Sequence, residues 1–93
     1  MRGTQFNVTV GTSSMALLGP NPNRVSLTFS ADGTNTLTAS TLGTAVIGEG
    51  ITLTPTNPTQ TITEDQIGSR IRQPWTVIAN NTGSLITVFE GFA

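Results

Sequence analysis

The 93-residue chain contains no cysteine, histidine, lysine or tyrosine. Each absence removes a class of chemistry. Without cysteine there is neither a disulfide nor a thiolate nucleophile, and without cysteine or histidine the usual zinc ligand sets cannot be assembled. General acid–base work is left to Asp32, Glu49, Glu64, Asp65 and Glu90 alone. Serine and threonine are plentiful, but a hydroxyl nucleophile needs a base to activate it, and none is present. The expectation is a protein that is not an enzyme and holds no cofactor or metal.

Charge is also scarce. Asp, Glu, Lys and Arg make up 10% of the residues, against roughly 25% in an ordinary soluble domain. The net charge is −1, and the positive side consists of Arg2, Arg24, Arg70 and Arg72. Phosphate binding depends on several clustered cations that release counterions, so four scattered arginines offset by acids argue against a nucleic-acid partner. No apolar run approaches the roughly 18 residues a membrane span needs, so no membrane partner is expected. Met1-Arg2-Gly3-Thr4 leads straight into alternating sequence without the apolar region of a signal peptide, which favours synthesis in the cytoplasm. A free-living monomer keeps a more charged surface for solubility and to blunt strand edges. Threonine and asparagine fill those positions here, which suits a chain packed against neighbours. A secreted β-domain with a threonine-rich face would share that composition.

The carboxylates form no recognisable catalytic or metal pattern. Two of them can hydrolyse a glycoside if they flank the bond at a set separation. Glu64 and Asp65 are adjacent and point in different directions on any regular element, so first-turn helix charge explains them better. Asp32 and the Glu64-Asp65 pair lack a calcium-loop spacing. The glycines of Gly43 to Gly50 are followed by neither lysine nor a helix, so a β-connection is expected rather than a phosphate cradle. Asn7-Val8-Thr9 and Asn80-Asn81-Thr82 match the glycosylation sequon, as chance allows in a chain rich in both residues.

Period-two alternation dominates the rest. Phe6, Val8 and Val10 share one face of a strand over 5–10. Met15 to Leu18 is a short apolar stretch, and Gly19-Pro20-Asn21-Pro22-Asn23 is a rigid loop because each proline restricts itself and its predecessor. Arg24 to Ser30 carries Val25, Leu27 and Phe29 inward. Asp32-Gly33 signals a type I′ hairpin returning over Thr34 to Ser40. Short strands are expected at Ala45–Ile47 and Ile51–Thr54, with an edge strand over Thr59–Thr63 centred on Ile62. Glu64 to Gln73 breaks the alternation and is read as one helical turn or a surface loop. Pro74 opens a strand with Trp75, Val77 and Ala79 on one face. The last strand, Ser84 to Glu90, is apolar on both faces through Leu85, Ile86, Val88 and Phe89, and is therefore central or covered. About eight strands at this spacing predict one all-β domain over residues 1–93, an antiparallel sandwich or small barrel of jelly-roll or immunoglobulin-like kind.

Three features are candidates for interaction. Arg70, Arg72 and Trp75 are of the types enriched at interface hot spots, although Trp75 also suits the core and the arginines could pair with Glu64 and Asp65. Residues 1–6, with Arg2 and Phe6, form a candidate N-terminal arm able to add a strand to a neighbour. Phe92 lies beyond the expected last strand and is a candidate docking aromatic.

The stretch Val10 to Leu18, followed by Asn21-Pro22-Asn23-Arg24 and the alternating strand to Ser30, resembles small virion proteins of tailed bacteriophages. Gly50-Ile51-Thr52-Leu53-Thr54-Pro55 and the closing strand pair from Trp75 to Glu90 are similar in placement. The resemblance implies a capsid decoration (cement) protein located in the virion. Its partner would be the major capsid protein or another virion subunit, and it would form a homo-oligomer, with a trimer compatible with local three-fold sites. The competing expectation is a carbohydrate- or receptor-binding module of a tail fibre or spike, which would need a platform of exposed aromatics. Only Phe6, Phe29, Trp75, Phe89 and Phe92 are available, and the core claims at least two.

Overall fold

A computed structural model describes residues 2–33, 35–41 and 43–92, and of Arg2 the backbone only. Eight strands run in chain order: β1 (Arg2–Val10), β2 (Met15–Leu18), β3 (Arg24–Ala31), β4 (Leu37–Ser40), β5 (Ile51–Leu53), β6 (Thr59–Thr63), β7 (Trp75–Ala79) and β8 (Ser84–Phe92). A four-residue helix, α1 (Glu64–Ile67), and a 3-10 helix over Gly68–Arg72 fill the gap between β6 and β7.

The strands form two four-stranded antiparallel sheets, ordered β1-β8-β3-β6 and β2-β7-β4-β5. β1 pairs with β8, β2 with β7, β3 with β6 and β4 with β5. The chain is thus one long ribbon, its first half running against its second, rolled so that alternate pairs fall in alternate sheets. Contacts of β8 with β3 and of β7 with β4 close each sheet. This is the jelly-roll sandwich of interleaved Greek keys, one of the two forms expected from the turn spacing.

Alternation decides what lies between the sheets. Leu27 and Phe29 of β3, Ile86 and Val88 of β8, and Val10 of β1 face Leu37 and Ala39 of β4, Leu53 of β5, and Trp75, Val77 and Ala79 of β7. Burial of one such aliphatic or phenylalanine side chain is worth about 1.5–3 kcal/mol. Phe29 and Trp75 meet across the sandwich with ring centroids 5.5 Å apart and planes tilted by 59°, within the favourable range for aromatic pairs. Ile62 is buried and β6 lies at a sheet edge, as its alternation implied.

Three local expectations are corrected. Val25, expected inward with Leu27 and Phe29, is only half-buried and stands outside the core, while Arg24 is buried, because the ladder to β8 shifts register between Arg24 and Ser26. Asp32-Gly33 is not a type I′ hairpin: Gly33 has φ 85°, but no described non-glycine residue has a positive φ. The reason is topological, because β3 and β4 lie in different sheets and the connection crosses the sandwich. Thr34, the expected start of the return strand, lies outside the described residues; β4 begins at Leu37. Ala45–Ile47 is not a strand either. This connection folds over the outer side of β4, where Ala45 N–H donates to Ser14 Oγ at 2.8 Å and Gly48 N–H to Thr38 Oγ1 at 3.0 Å. Side-chain acceptors thus replace a ladder, and β4 is buried on both faces.

Candidate interaction surfaces

The segment between β6 and β7 is built from its ends inward. Thr63 begins the turn, its N–H donating to Gln66 Oε1 at 2.9 Å, and Glu64 and Asp65 occupy the first turn of α1, where carboxylates suit the helix dipole. Ile71 is the one buried residue of the 3-10 helix and pins it to the core.

Arg24 holds this segment in place. It is 2% exposed, and its Nε donates to Glu90 Oε2 at 2.9 Å. Nη1 donates to the carbonyls of Ile71 (3.0 Å) and Gln73 (3.1 Å), and Nη2 to that of Gly19 (2.8 Å). One planar fork therefore ties β3, β8, the 3-10 helix and the proline loop together. The Asn-Pro-Asn-Arg motif acquires a physical reading. Asn21 Oδ1 accepts from Asn23 N–H at 3.0 Å and Asn21 N–H donates to Arg72 O at 3.0 Å, which delivers Arg24 to the interior.

The predicted interaction residues do not converge. Arg2 lies in β1 opposite Phe92 of β8, and its side chain is outside the described part. Of the candidate arm over residues 1–6, residue 1 lies outside the described residues, and residues 2–6 pair with β8 of the same chain. Phe6 points inward and is half-buried against the core. β8 runs on to Phe92, which is half-buried rather than beyond the last strand. Arg72 is ion-paired with Glu64. Trp75 is a core residue, with its Nε1 buried and without an acceptor among the described residues. Arg70 is exposed and donates from Nη2 to Thr41 Oγ1 at 3.3 Å.

Arg70 and Trp75 do share one feature, a pocket of about 250 Å³ whose walls include Ile51, Ile67, Glu49 and Gly50. Its floor is mainly apolar, and one arginine and one glutamate stand at it. Elsewhere the carboxylates are dispersed: Glu90 serves Arg24, Glu64 serves Arg72, and Asp32 Oδ2 accepts from Leu85 N–H at 3.3 Å. Among the described residues no three acidic side chains gather as a metal site.

A further surface is the outer face of the β1-β8-β3-β6 sheet. One cross-strand row reads Gln5, Phe89, Thr28, Thr61 and the next reads Asn7, Thr87, Ser30, Thr59. Hydrogen bonds lace these rows: Thr87 Oγ1 to Asn7 Oδ1 at 2.8 Å, Thr28 Oγ1 with Thr61 Oγ1 at 3.1 Å, and Ser30 Oγ with Thr59 Oγ1 at 3.2 Å. A third row begins Thr9, Leu85. No charged residue interrupts them; Asp32 stands at the border beside Leu85. On this face Phe89 and Leu85 are 41% and 40% exposed. The sequence placed β8 as central or covered. It is central, but these two side chains are not covered within the chain.

The sequence marks Leu85 and Phe89 only as strand residues, and Arg24 as the start of a strand and the end of the Asn-Pro-Asn-Arg motif. The signal for the first two was the apolar pattern on both faces of β8. For Arg24 the signal is its place directly behind the Asn-Pro-Asn loop; the alternation of the strand, which turns Val25, Leu27 and Phe29 inward, does not assign it to the interior. No protein-family model matches the chain, and no curated protein or solved structure matches it.

Proposed function

We propose that this chain is a non-enzymatic virion structural protein, a capsid decoration subunit that clamps neighbouring capsid proteins and works as a homo-oligomer. The observation that carries the reading is the uncharged sheet face with exposed Leu85 and Phe89. A face of hydroxyls and amides around two apolar side chains is poor at repelling wrong neighbours and well suited to permanent burial, since depletion of charge is what marks interface cores. The resemblance of the Asn-Pro-Asn-Arg region to small phage virion proteins points the same way. So does the lack of groups that titrate near neutral pH, which leaves buried area as the means of action. A jelly roll alone does not decide between shell and lectin roles. A sugar-stacking platform has little material here, because Phe89 is the one exposed aromatic among the described residues.

The test is quantitative mass spectrometry of purified particles from the virus that encodes the chain. A fixed ratio of this chain to the major capsid protein is expected, with loss of the chain lowering the resistance of particles to heat or chelation. Particles that lack the chain altogether would overturn the reading.

A further inference from the structure

The uncovered side of β8 carries an inference that goes beyond the assembly reading and holds whether or not the neighbour is a capsid. We infer that the outer face of the β1-β8-β3-β6 sheet packs on the same face of a second copy, about a two-fold axis at Thr87, with Phe89 of each copy seated against Leu85 of the other. Four observations lead there.

The first is the spacing of the apolar pair. Leu85 and Phe89 are four residues apart on one strand and on one face, roughly 13–14 Å at about 3.4 Å per residue. Thr87 lies midway between them. A two-fold axis through Thr87, in the interface plane and perpendicular to β8, runs the two β8 strands antiparallel and brings residue 89 over residue 85 twice. An isologous contact requires this kind of reciprocity.

The second is self-complementarity of charge. The same axis stacks β1 on β1 and β3 on β3 of the two copies, so Gln5 meets Thr9 and Thr28 meets the border residue Asp32. Threonine, serine, asparagine and glutamine each donate and accept, so identical faces can hydrogen-bond to each other. The single acid falls opposite a hydroxyl instead of opposite itself. A partner bringing several charges would have to desolvate them against a face whose one charged group is the border residue Asp32.

The third is flatness. Short Thr, Ser and Asn side chains surround the two apolar ones, and cross-strand bonds tie Thr28 to Thr61, Ser30 to Thr59 and Thr87 to Asn7 within the face instead of leaving them to project from it. Two such sheets pack aligned at about 30° and about 10 Å apart, as inner sandwich faces do.

The fourth is area. The four strands present about 500 Å² of flat face per copy from strand spacings near 4.8 Å, so a pair removes about 1,000 Å². That sits at the lower limit for specific interfaces. The pair is therefore weak when free and gains strength from repetition in an array.

Sedimentation equilibrium of the intact chain from about 10 µM to about 1 mM tests this, a range that brackets weak association. A monomer–dimer equilibrium is expected, with L85K and F89E each weakening it about tenfold or more while the native Trp75 emission is unchanged. The register is tested by mixing. L85K with F89E should restore dimers as the mixed species, because one contact is then Lys with Glu and the other is the natural pair. T87R, which sets like charges face to face on the axis, should give monomer alone. A chain that stays monomeric at about 1 mM, or L85K and F89E variants that dimerise as tightly as the parent, would overturn the proposal. Capsid pelleting with the same samples separates the two readings. A chain that dimerises but ignores capsids defeats the virion reading only. A monomer that pellets with capsids and loses that on F89E assigns the face to the shell and defeats this one.

Discussion

Replacing Arg24 with methionine should cost far more stability than any exposed substitution, and the cost should fall when Glu90 is replaced with it. Arg24 is buried, carries the one ion pair in the interior among the described residues, and satisfies three backbone carbonyls. R24M leaves Glu90, whose side chain is 10% exposed, with only the 3.2 Å hydrogen bond from Thr4 Oγ1. Removing one partner of a buried pair costs about 3–5 kcal/mol. The Ile71 carbonyl is buried outright, and an orphaned acceptor there adds about 1–3 kcal/mol. The Gly19 and Gln73 carbonyls are partly buried, so water can take over some of their loss. A domain of this length has about 5–14 kcal/mol in total, and R24M should remove about 4–8 of it. In E90M the guanidinium keeps its three carbonyls but loses its counter-charge, which places the loss at about 3 kcal/mol. In R24M/E90M no charge stays buried, so the loss should return to about 2–3 kcal/mol, chiefly the orphaned carbonyls. The assay is urea denaturation followed by the fluorescence of Trp75, the single tryptophan and a core residue. An R24M loss below about 1 kcal/mol, or a double variant as unstable as the sum of the singles, would refute the claim that this pair is coupled.

Three further outcomes follow from the same packing. Gly50 has φ +152°, and a Cβ there would lie 2.4 Å from the Ala39 carbonyl oxygen, whereas Gly43 has φ +90° and open space. G50A should therefore lose about 2–4 kcal/mol and G43A only about 1–2, read as shifts in urea midpoint. I71A should lose about 2–4 kcal/mol and loosen the 64–73 segment, seen as faster amide exchange there relative to β8. R72Q, which removes a half-exposed partner of Glu64, should change stability by less than about 1 kcal/mol in the same denaturation assay.

Much of the architecture could be read from alternation because a thin two-sheet domain exposes one face of nearly every strand. Trp75, Val77 and Ala79 were assigned to one face and are buried together; Ile62 was assigned to an edge strand and lies in one. What failed was pairing. Asp32-Gly33 has hairpin residues, yet the jelly roll sends β3 and β4 to opposite sheets, and local turn chemistry carries no information about partners such as β6 and β8, which follow later in the chain. The stretch around Ala45 failed for another reason: its stabilising bonds go to Ser14 and Thr38 side chains, which no period reveals. The interaction surface was half legible. The two-sided apolar pattern of Ser84 to Glu90 marked β8 as central or covered, but only the cross-strand register shows its outer neighbours to be uncharged apart from Asp32 beside Leu85. The arginines, prominent as residue types, divide into one keystone, one local ion pair, one pocket-side cation and Arg2 at the start of β1.

The most direct test of the proposed assembly role is sedimentation velocity of the purified chain, alone and then with capsids of the proposed parent phage. The account predicts a species that moves to the capsid boundary at fixed stoichiometry and saturates. A chain whose boundary is unchanged by capsids at every ratio would contradict it.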